Sequence, residues 1–331
     1  MSHNGNGDNW GLIGHEAVVD LLAARVRSGR VGHAYLITGP PGIGRATLAV
    51  RLAQAVNCEA AGNGVPCGEC RPCDLIARRA HADVQFIEPD GRYIRIETIR
   101  DLQHDLMLRP IEARSRVAII EEMQHATDQA ADALLKTLEE PPPTSRLILT
   151  ADAAESLRPT IVSRCQVVPL RPVPADRIAA ALVDRLSLPP GEASVLARLS
   201  GGRPGWAIRA AGQPETLEAR AAILEGMFAA LSADRVGRFQ YAEAIARADD
   251  LPAILDVWQS FWRDVLLVVE DSRVPPTNAD QAGALDRIAA SITPEEARRA
   301  LRAVRRTVDA LGRNANTRLT LDVMLLDMPY T

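Results

Sequence analysis

The chain has 331 residues, 47% hydrophobic and 24% charged, with a formal net charge of −4. That length suits two or three domains with their own cores, and the acidic balance gives no electrostatic sign of a nucleic-acid binder beyond a local basic surface. No apolar run approaches the roughly 20 residues of a membrane span, and the polar segment at residues 1–8 lacks a signal-peptide core, so a cytoplasmic protein without a membrane role is expected, with a disordered tip over residues 1–9.

From about residue 10 to 170 the pattern alternates strand and helix. A short apolar run at 34–38 enters a glycine-rich turn, and 46–56 follows with helical spacing. Further strands are predicted at 84–87, 117–120, 147–150 and 167–170, with helices over 96–107 and 128–138 between them. The run Val117-Ala118-Ile119-Ile120 is continuously apolar, as in a strand buried on both faces. Such alternation predicts a parallel sheet with helices on both faces. After Leu170 the strands stop. Arg171-Pro172-Val173-Pro174 reads as a stiff connector, helices are expected over 175–186, 192–200 and from Trp206, and only helical periodicity follows residue 217, broken at Val274-Pro275-Pro276. Three domains result: an α/β domain (10–170), a small helical lid (171–212) and an all-α C-terminal domain (213–331).

The turn after the first strand reads Gly39-Pro40-Pro41-Gly42-Ile43-Gly44-Arg45-Ala46-Thr47. A working phosphate loop cradles phosphates with backbone N–H groups, reaches them with a Lys and holds Mg²⁺ through a Ser or Thr. Gly39, Gly42 and Gly44 fit that cradle. Arg45 stands at the Lys position and Ala46 at the hydroxyl position, with Thr47 one residue late. Weak phosphate binding at the helix N-terminus remains open, but turnover of ATP with Mg²⁺ is not expected. The alternative is an ordinary glycine-rich strand-to-helix turn. At the end of the third strand, Glu121-Glu122 stands where a site of this kind places an Asp for the metal shell and a Glu for the attacking water. Glu122 suits the second task, whereas Glu121 is a methylene too long for the first. A solvated turn is the other reading.

Four of the five cysteines fall within sixteen residues, spaced Cys58-x8-Cys67-x2-Cys70-x2-Cys73. Four thiolates suit tetrahedral Zn²⁺, and Cys-x2-Cys pairs turn two sulfurs toward one ion. All four positions filled means a structural rather than catalytic ion. Free thiols and an iron–sulfur cluster are the alternatives.

His33-Ala34-Tyr35-Leu36, the cysteine cluster, Leu134-Leu135-Lys136-Thr137-Leu138-Glu139-Glu140-Pro141-Pro142 and Ser163-Arg164-Cys165 occur in this order. Together they resemble the bacterial clamp-loader AAA+ family, strongly over about 10–210. Gly11-Leu12-Ile13-Gly14-His15-Glu16 resembles the segment that packs near adenine in that family. Asn314-Ala315-Asn316 with 319–328 resembles, more loosely, the end of its collar domain.

The resemblance implies an AAA+ module, lid and collar. It also implies a place in a hetero-pentameric ring of motor (gamma/tau) subunits and a delta subunit, which loads the sliding clamp on primed DNA within DNA polymerase III. Motor subunits of the family keep the complete phosphate loop, and the delta prime class, a stator, often has a degraded one. Arg45, Ala46 and Glu121 resemble the stator. An ATP-hydrolysing motor subunit with a divergent loop is the alternative, and a DNA-repair AAA+ protein a third reading. Arg203, in the lid, is one place off the phosphate-sensing Arg of the motor class. The Ser-Arg-Cys motif implies that Arg164 is an arginine finger offered to a neighbour's nucleotide, since an Arg stays charged and donates in a fork; a surface ion pair is the plain alternative. Arg158 is a second candidate for neighbour contacts. Arg95, Arg100 and Arg109 lie around a helix that faces the central chamber in this family, so phosphate contacts there would be sequence-independent, with a solvated helix face as the alternative. Cys165 is implied to pack rather than react.

Overall fold

The computed structural model describes residues 9–248, 250–312 and 315–330. Residues 1–8 and Asn314 lie outside the described residues. Asn9 belongs to the ordered part, its side-chain amide donating to the carbonyls of Leu12 (3.0 Å) and Gly14 (2.7 Å).

The described chain divides into two compact units, one running to Arg177 and including Arg203–Gly205, the other formed by Ile178–Gly202 and everything from Trp206. In the first unit, β1 (Ala34–Thr38), β2 (Val84–Ile87), β3 (Arg116–Ile120), β4 (Ser145–Ala151) and β5 (Gln166–Pro169) form one sheet in the order β2-β3-β4-β1-β5. Every neighbouring pair is parallel. Side chains alternate across a strand, and here both sides are apolar. Tyr35, Ile37, Val117, Ile119 and Ile148 join one buried cluster with α1 (Glu16–Arg27) and α2 (Arg45–Asn57). Ala34, Leu36, Ala118, Ile120, Leu147 and Leu149 join the other with α4 (Ile96–Met107) and α5 (Asp128–Glu139). The continuous apolar runs are therefore what a sheet sandwiched between two helical layers requires.

Between α2 and β2 lies α3 (Arg71–Ala77), and between β4 and β5 lies the four-residue α6 (Pro159–Val162). Neither α1 nor α3 is visible as periodicity in the sequence reading.

The second unit is helical. α7 (Ala175–Leu186), α8 (Pro190–Leu199) and α9 (Pro204–Gly212) precede α10 (Glu215–Ser232), α11 (Arg235–Ala246), α12 (Leu251–Val269), α13 (Ala282–Ser291), α14 (Pro294–Leu311) and α15 (Thr317–Leu326). Trp258, Phe261 and Trp262 sit at the centre of its apolar cluster. The sequence set a lid over 171–212 apart from a collar over 213–331. In the structure residues 178–202 fall with the C-terminal helices, because α8 packs on the turn Ala279–Gln281. Arg203–Gly205 falls with the α/β unit, where the Gly205 N–H donates to the Gly42 carbonyl (2.8 Å). Arg238 is fully buried, its guanidinium donating to the carbonyls of Leu231, Leu325, Met328 and Pro329. A buried charge needs such partners, so Arg238 fixes the C-terminal residues to α11.

Candidate functional site

Two groups of residues carry chemistry in the α/β unit. The cysteines form the first. Cys58 caps the C-terminus of α2, Cys70 precedes α3, and Cys73 lies in its first turn. Their sulfurs, with that of Cys67, all lie within 4.8 Å of one another, and Cys58 and Cys70 Sγ are 3.9 Å apart. A tetrahedral ion with Zn–S bonds near 2.3 Å separates its sulfurs by about 3.8 Å, whereas a disulfide needs about 2.05 Å. The set therefore fits a metal ion. Cys58 Sγ accepts from the Cys67 N–H (3.4 Å) and Cys67 Sγ from the Cys70 N–H (3.3 Å), bonds that favour thiolate. The Cys70 N–H draws the Cys67 thiol down to about 7, while burial pushes Cys58 and Cys73 up.

The cluster is anchored to the fold. Gln54 donates to the Cys73 carbonyl (2.7 Å), and Asn57 and Ser115 exchange two hydrogen bonds. Gly64, at φ 79°, lies so close to α1 that a Cβ would stand 2.1 Å from the Ala23 carbonyl oxygen. Gly64→Ala is expected to cost about 2–4 kcal/mol, from overpacking and left-handed strain together. Denaturant unfolding measures this, and an unchanged midpoint would show that the loop does not dock on α1.

The second group surrounds the glycine-rich loop. Gly39 ends β1, its N–H shared between the carbonyls of Ala151 and Asp152 (both 3.2 Å). A Cβ there would sit 2.8 Å from the Leu170 carbonyl oxygen, so the crossing admits only Gly. Gly42 and Gly44 both have positive φ, and Gly44 caps α2. The His15 Nε2 donates to the Ile43 carbonyl (3.2 Å), and burial lowers the His15 pKa, keeping the ring neutral. Arg45 is buried and forms an ion pair with Asp152, the residue after β4. Ala46 has no oxygen, and Thr47 is exposed.

Glu121 follows β3 and turns toward the β2 edge. It accepts from Arg79 (2.8 Å), which also pairs with Glu88 and lies 4.7 Å from the Phe86 ring centroid. Burial raises the Glu121 pKa against the pull of Arg79. Glu122 takes the left-handed conformation and donates its N–H to Thr150 Oγ1 (3.0 Å); its carboxylate lies 3.9 Å from His125 Nε2. The two acids thus point to different places, Glu121 toward Arg79 and Glu122 toward His125.

Arg164 follows α6 on the surface. It pairs with Glu139 (2.6 Å) and donates to the Thr160 carbonyl (2.9 Å). Arg158 pairs with Asp128 (2.7 Å) and Asp132. Burial pushes the Cys165 thiol up to about 12, so it remains protonated and packs beneath α6. Arg95 and Arg100 are exposed at the start of α4, with no ion pair among the described residues. Arg109 is exposed, and its carbonyl accepts from Arg116 (3.3 Å).

Sequence reasoning brought Arg45 to the loop but missed its partner Asp152; an acid just past a predicted strand end was the available signal. Arg79 and Glu139 carried no such signal, because their partners lie 42 and 25 residues away in the chain.

The family model described as DNA polymerase III, delta subunit, matches residues 14–174. Subunit delta' of Bacillus subtilis DNA polymerase III is 31% identical over 208 residues, which are 63% of this chain and 62% of that protein. Subunit tau of Escherichia coli DNA polymerase III is 34% identical over 167 residues, 50% of this chain and 26% of that protein. The chain thus spans less than two thirds of the length of these relatives. A gamma subunit-related protein of Thermotoga maritima aligns over 93% of this chain and 97% of its own at 20% identity, with a TM-score of 0.40.

Proposed function

We propose that this chain, which belongs through residues 14–174 to the DNA polymerase III clamp-loader family, is the stator of the loader, a delta prime-type subunit without ATPase activity of its own. The observation that carries this reading is the Arg45–Asp152 pair. The cation that a motor would aim at the outer phosphates is spent on a carboxylate, Ala46 offers Mg²⁺ nothing, and Glu121 is held by Arg79. Meanwhile Arg164 lies on the surface, held by one half-exposed ion pair.

In this reading the chain sits in a five-membered ring with gamma/tau motors and delta, in the cytoplasm. Arg164 completes a neighbour's nucleotide site, stabilising charge on the transferred phosphoryl group. ATP bound by the motors drives loading of the sliding clamp on primed DNA. Arg95 and Arg100 supply phosphate contacts that read no bases. The cysteines hold one structural Zn²⁺, since four sulfur donors favour that ion. Among the described residues no helix is long and apolar enough to cross a membrane.

The likeness to tau supports a rival, a motor with a divergent loop. ATP hydrolysis by the purified chain separates the two. Background turnover is expected; steady turnover that vanishes in Arg45→Ala would establish the motor reading instead.

A further inference from the structure

We propose that Asp152 is a built-in competitor for nucleotide: its carboxylate holds Arg45 in an ion pair and so closes a polyphosphate-binding cradle that the loop otherwise retains. The proposal rests on the stator reading and goes beyond it, because it names the one residue whose charge opposes phosphate at the loop.

The geometry has three parts. The glycine-rich loop keeps its shape, with Gly39, Gly42 and Gly44 at positive φ and α2 starting directly after it. Arg45, on the first turn of that helix, has a side chain only 8% exposed. A buried guanidinium must be paired, and its partner here is a carboxylate 107 residues away that is itself half in solvent, at 47%. Asp152 reaches the loop because β4 pairs with β1 in register, Ala151 beside Thr38. The Asp152 carbonyl also accepts from the Gly39 N–H, so backbone and side chain of one residue both engage the loop.

A triphosphate entering this cradle would have to take Arg45 from Asp152 and then lie beside the freed carboxylate. Both effects oppose binding, and like charges at contact distance repel strongly where water is partly excluded. Substituting Asn for Asp152 keeps the side-chain shape and removes the charge. Arg45 is then a buried cation lacking an anion, with backbone N–H groups of the helix start alongside.

The experiment uses the full chain and inorganic tripolyphosphate, which carries the charge of a nucleotide tail without a base. Binding is followed by calorimetry and by the thermal midpoint, for wild type, Asp152→Asn, Asp152→Ser and the double variant Arg45→Gln/Asp152→Asn. Expected is a gain of affinity on the order of tenfold or more in both single variants, absent from the double variant and weakened by salt. ATP should follow tripolyphosphate, since the effect acts on the phosphates. Wild type binding as tightly as Asp152→Asn would overturn the proposal, as would folded single variants that gain nothing. If both single variants fail to fold and 1 mM tripolyphosphate (roughly the concentration of a cellular nucleotide pool) does not restore them, the pair is purely structural and the proposal also fails. The stator reading is tested separately, by ATP hydrolysis of the purified chain, so failure of this proposal and failure of that reading are told apart: phosphate binding without turnover overturns only the proposal.

Discussion

On the proposed stator reading, replacing Arg164 with alanine is expected to lower ATP turnover of the assembled loader while leaving the chain folded and in the complex. The stability side follows from the geometry. The Arg164–Glu139 pair is half exposed, and pairs of that kind contribute about 0–1 kcal/mol. The catalytic side is larger. A trans Arg can be worth on the order of 10³–10⁵ in rate at the site it completes, judged from GTPases. Only the site facing this chain loses its Arg, so turnover of the whole ring falls partly if the motors fire independently and almost wholly if they fire in a coupled order. Binding of ATP by the motors should change less than its hydrolysis, because the Arg acts on charge that develops in the transition state. The assay is clamp- and DNA-stimulated turnover, wild type against variant, with assembly checked by size. Unchanged turnover in an intact complex would reduce Arg164 to a surface residue. Loss of assembly would make its role structural.

The α/β unit was legible because buried strands have a local signature. All five predicted strands overlap the observed ones, and 34–38 and 84–87 match to the residue. Each is an apolar run too short for a helix and bounded by turn residues. α1 was not legible: its buried positions, Val19, Leu22 and Ala23, are few and mixed with charged residues. α3 was hidden for another reason. It is seven residues long, and its turn is fixed by Cys70 and Cys73 rather than by periodicity. The grouping of residues 178–202 with the C-terminal helices was hidden for a third reason. Contacts between α8 and the turn at Ala279–Gln281 join residues some 80 positions apart, and no local pattern announces them.

The candidate site divides the same way. Residues whose expected role depends on spacing, such as the four cysteines and the loop glycines, were found by spacing; the structure brings the four sulfurs together and gives the three glycines positive φ. Residues whose function depends on a distant charge were found singly and without their partners. Arg45 without Asp152 reads as a damaged lysine, and Glu121 without Arg79 as a carboxylate that is too long. With their partners, both are engaged side chains, and the loop becomes a closed ion pair rather than an eroded motif.

Removing the Zn²⁺ proposed for the cysteine cluster is expected to have the largest effect on the α/β unit, and the effect should be local. Protein purified without added metal should contain one Zn²⁺ per chain by elemental analysis, and should be colourless, which separates zinc from an iron–sulfur cluster. Less than about 0.3 equivalents in folded, unchelated protein would count against a structural site. Cys58→Ser should abolish binding, since Cys58 is fully buried and both Cys67 and Cys70 approach its sulfur. Ordering of a structural zinc site can draw on about 10–16 kcal/mol of metal binding. Without the ion, nothing apolar of comparable size replaces it: the cluster's own core is only Cys58, Ala61 and Cys73 with Cys70 against it. The loop should therefore open between α2 and α3, freeing Gly64 from Ala23 and exposing the peptide bonds there to protease. The sheet has two large apolar clusters of its own and should persist. Limited proteolysis with and without chelator reads the first effect, and circular dichroism the second. A chelated chain that resists cleavage at the loop and unfolds at the same temperature as the metal-loaded form would show that four thiols pack there unaided.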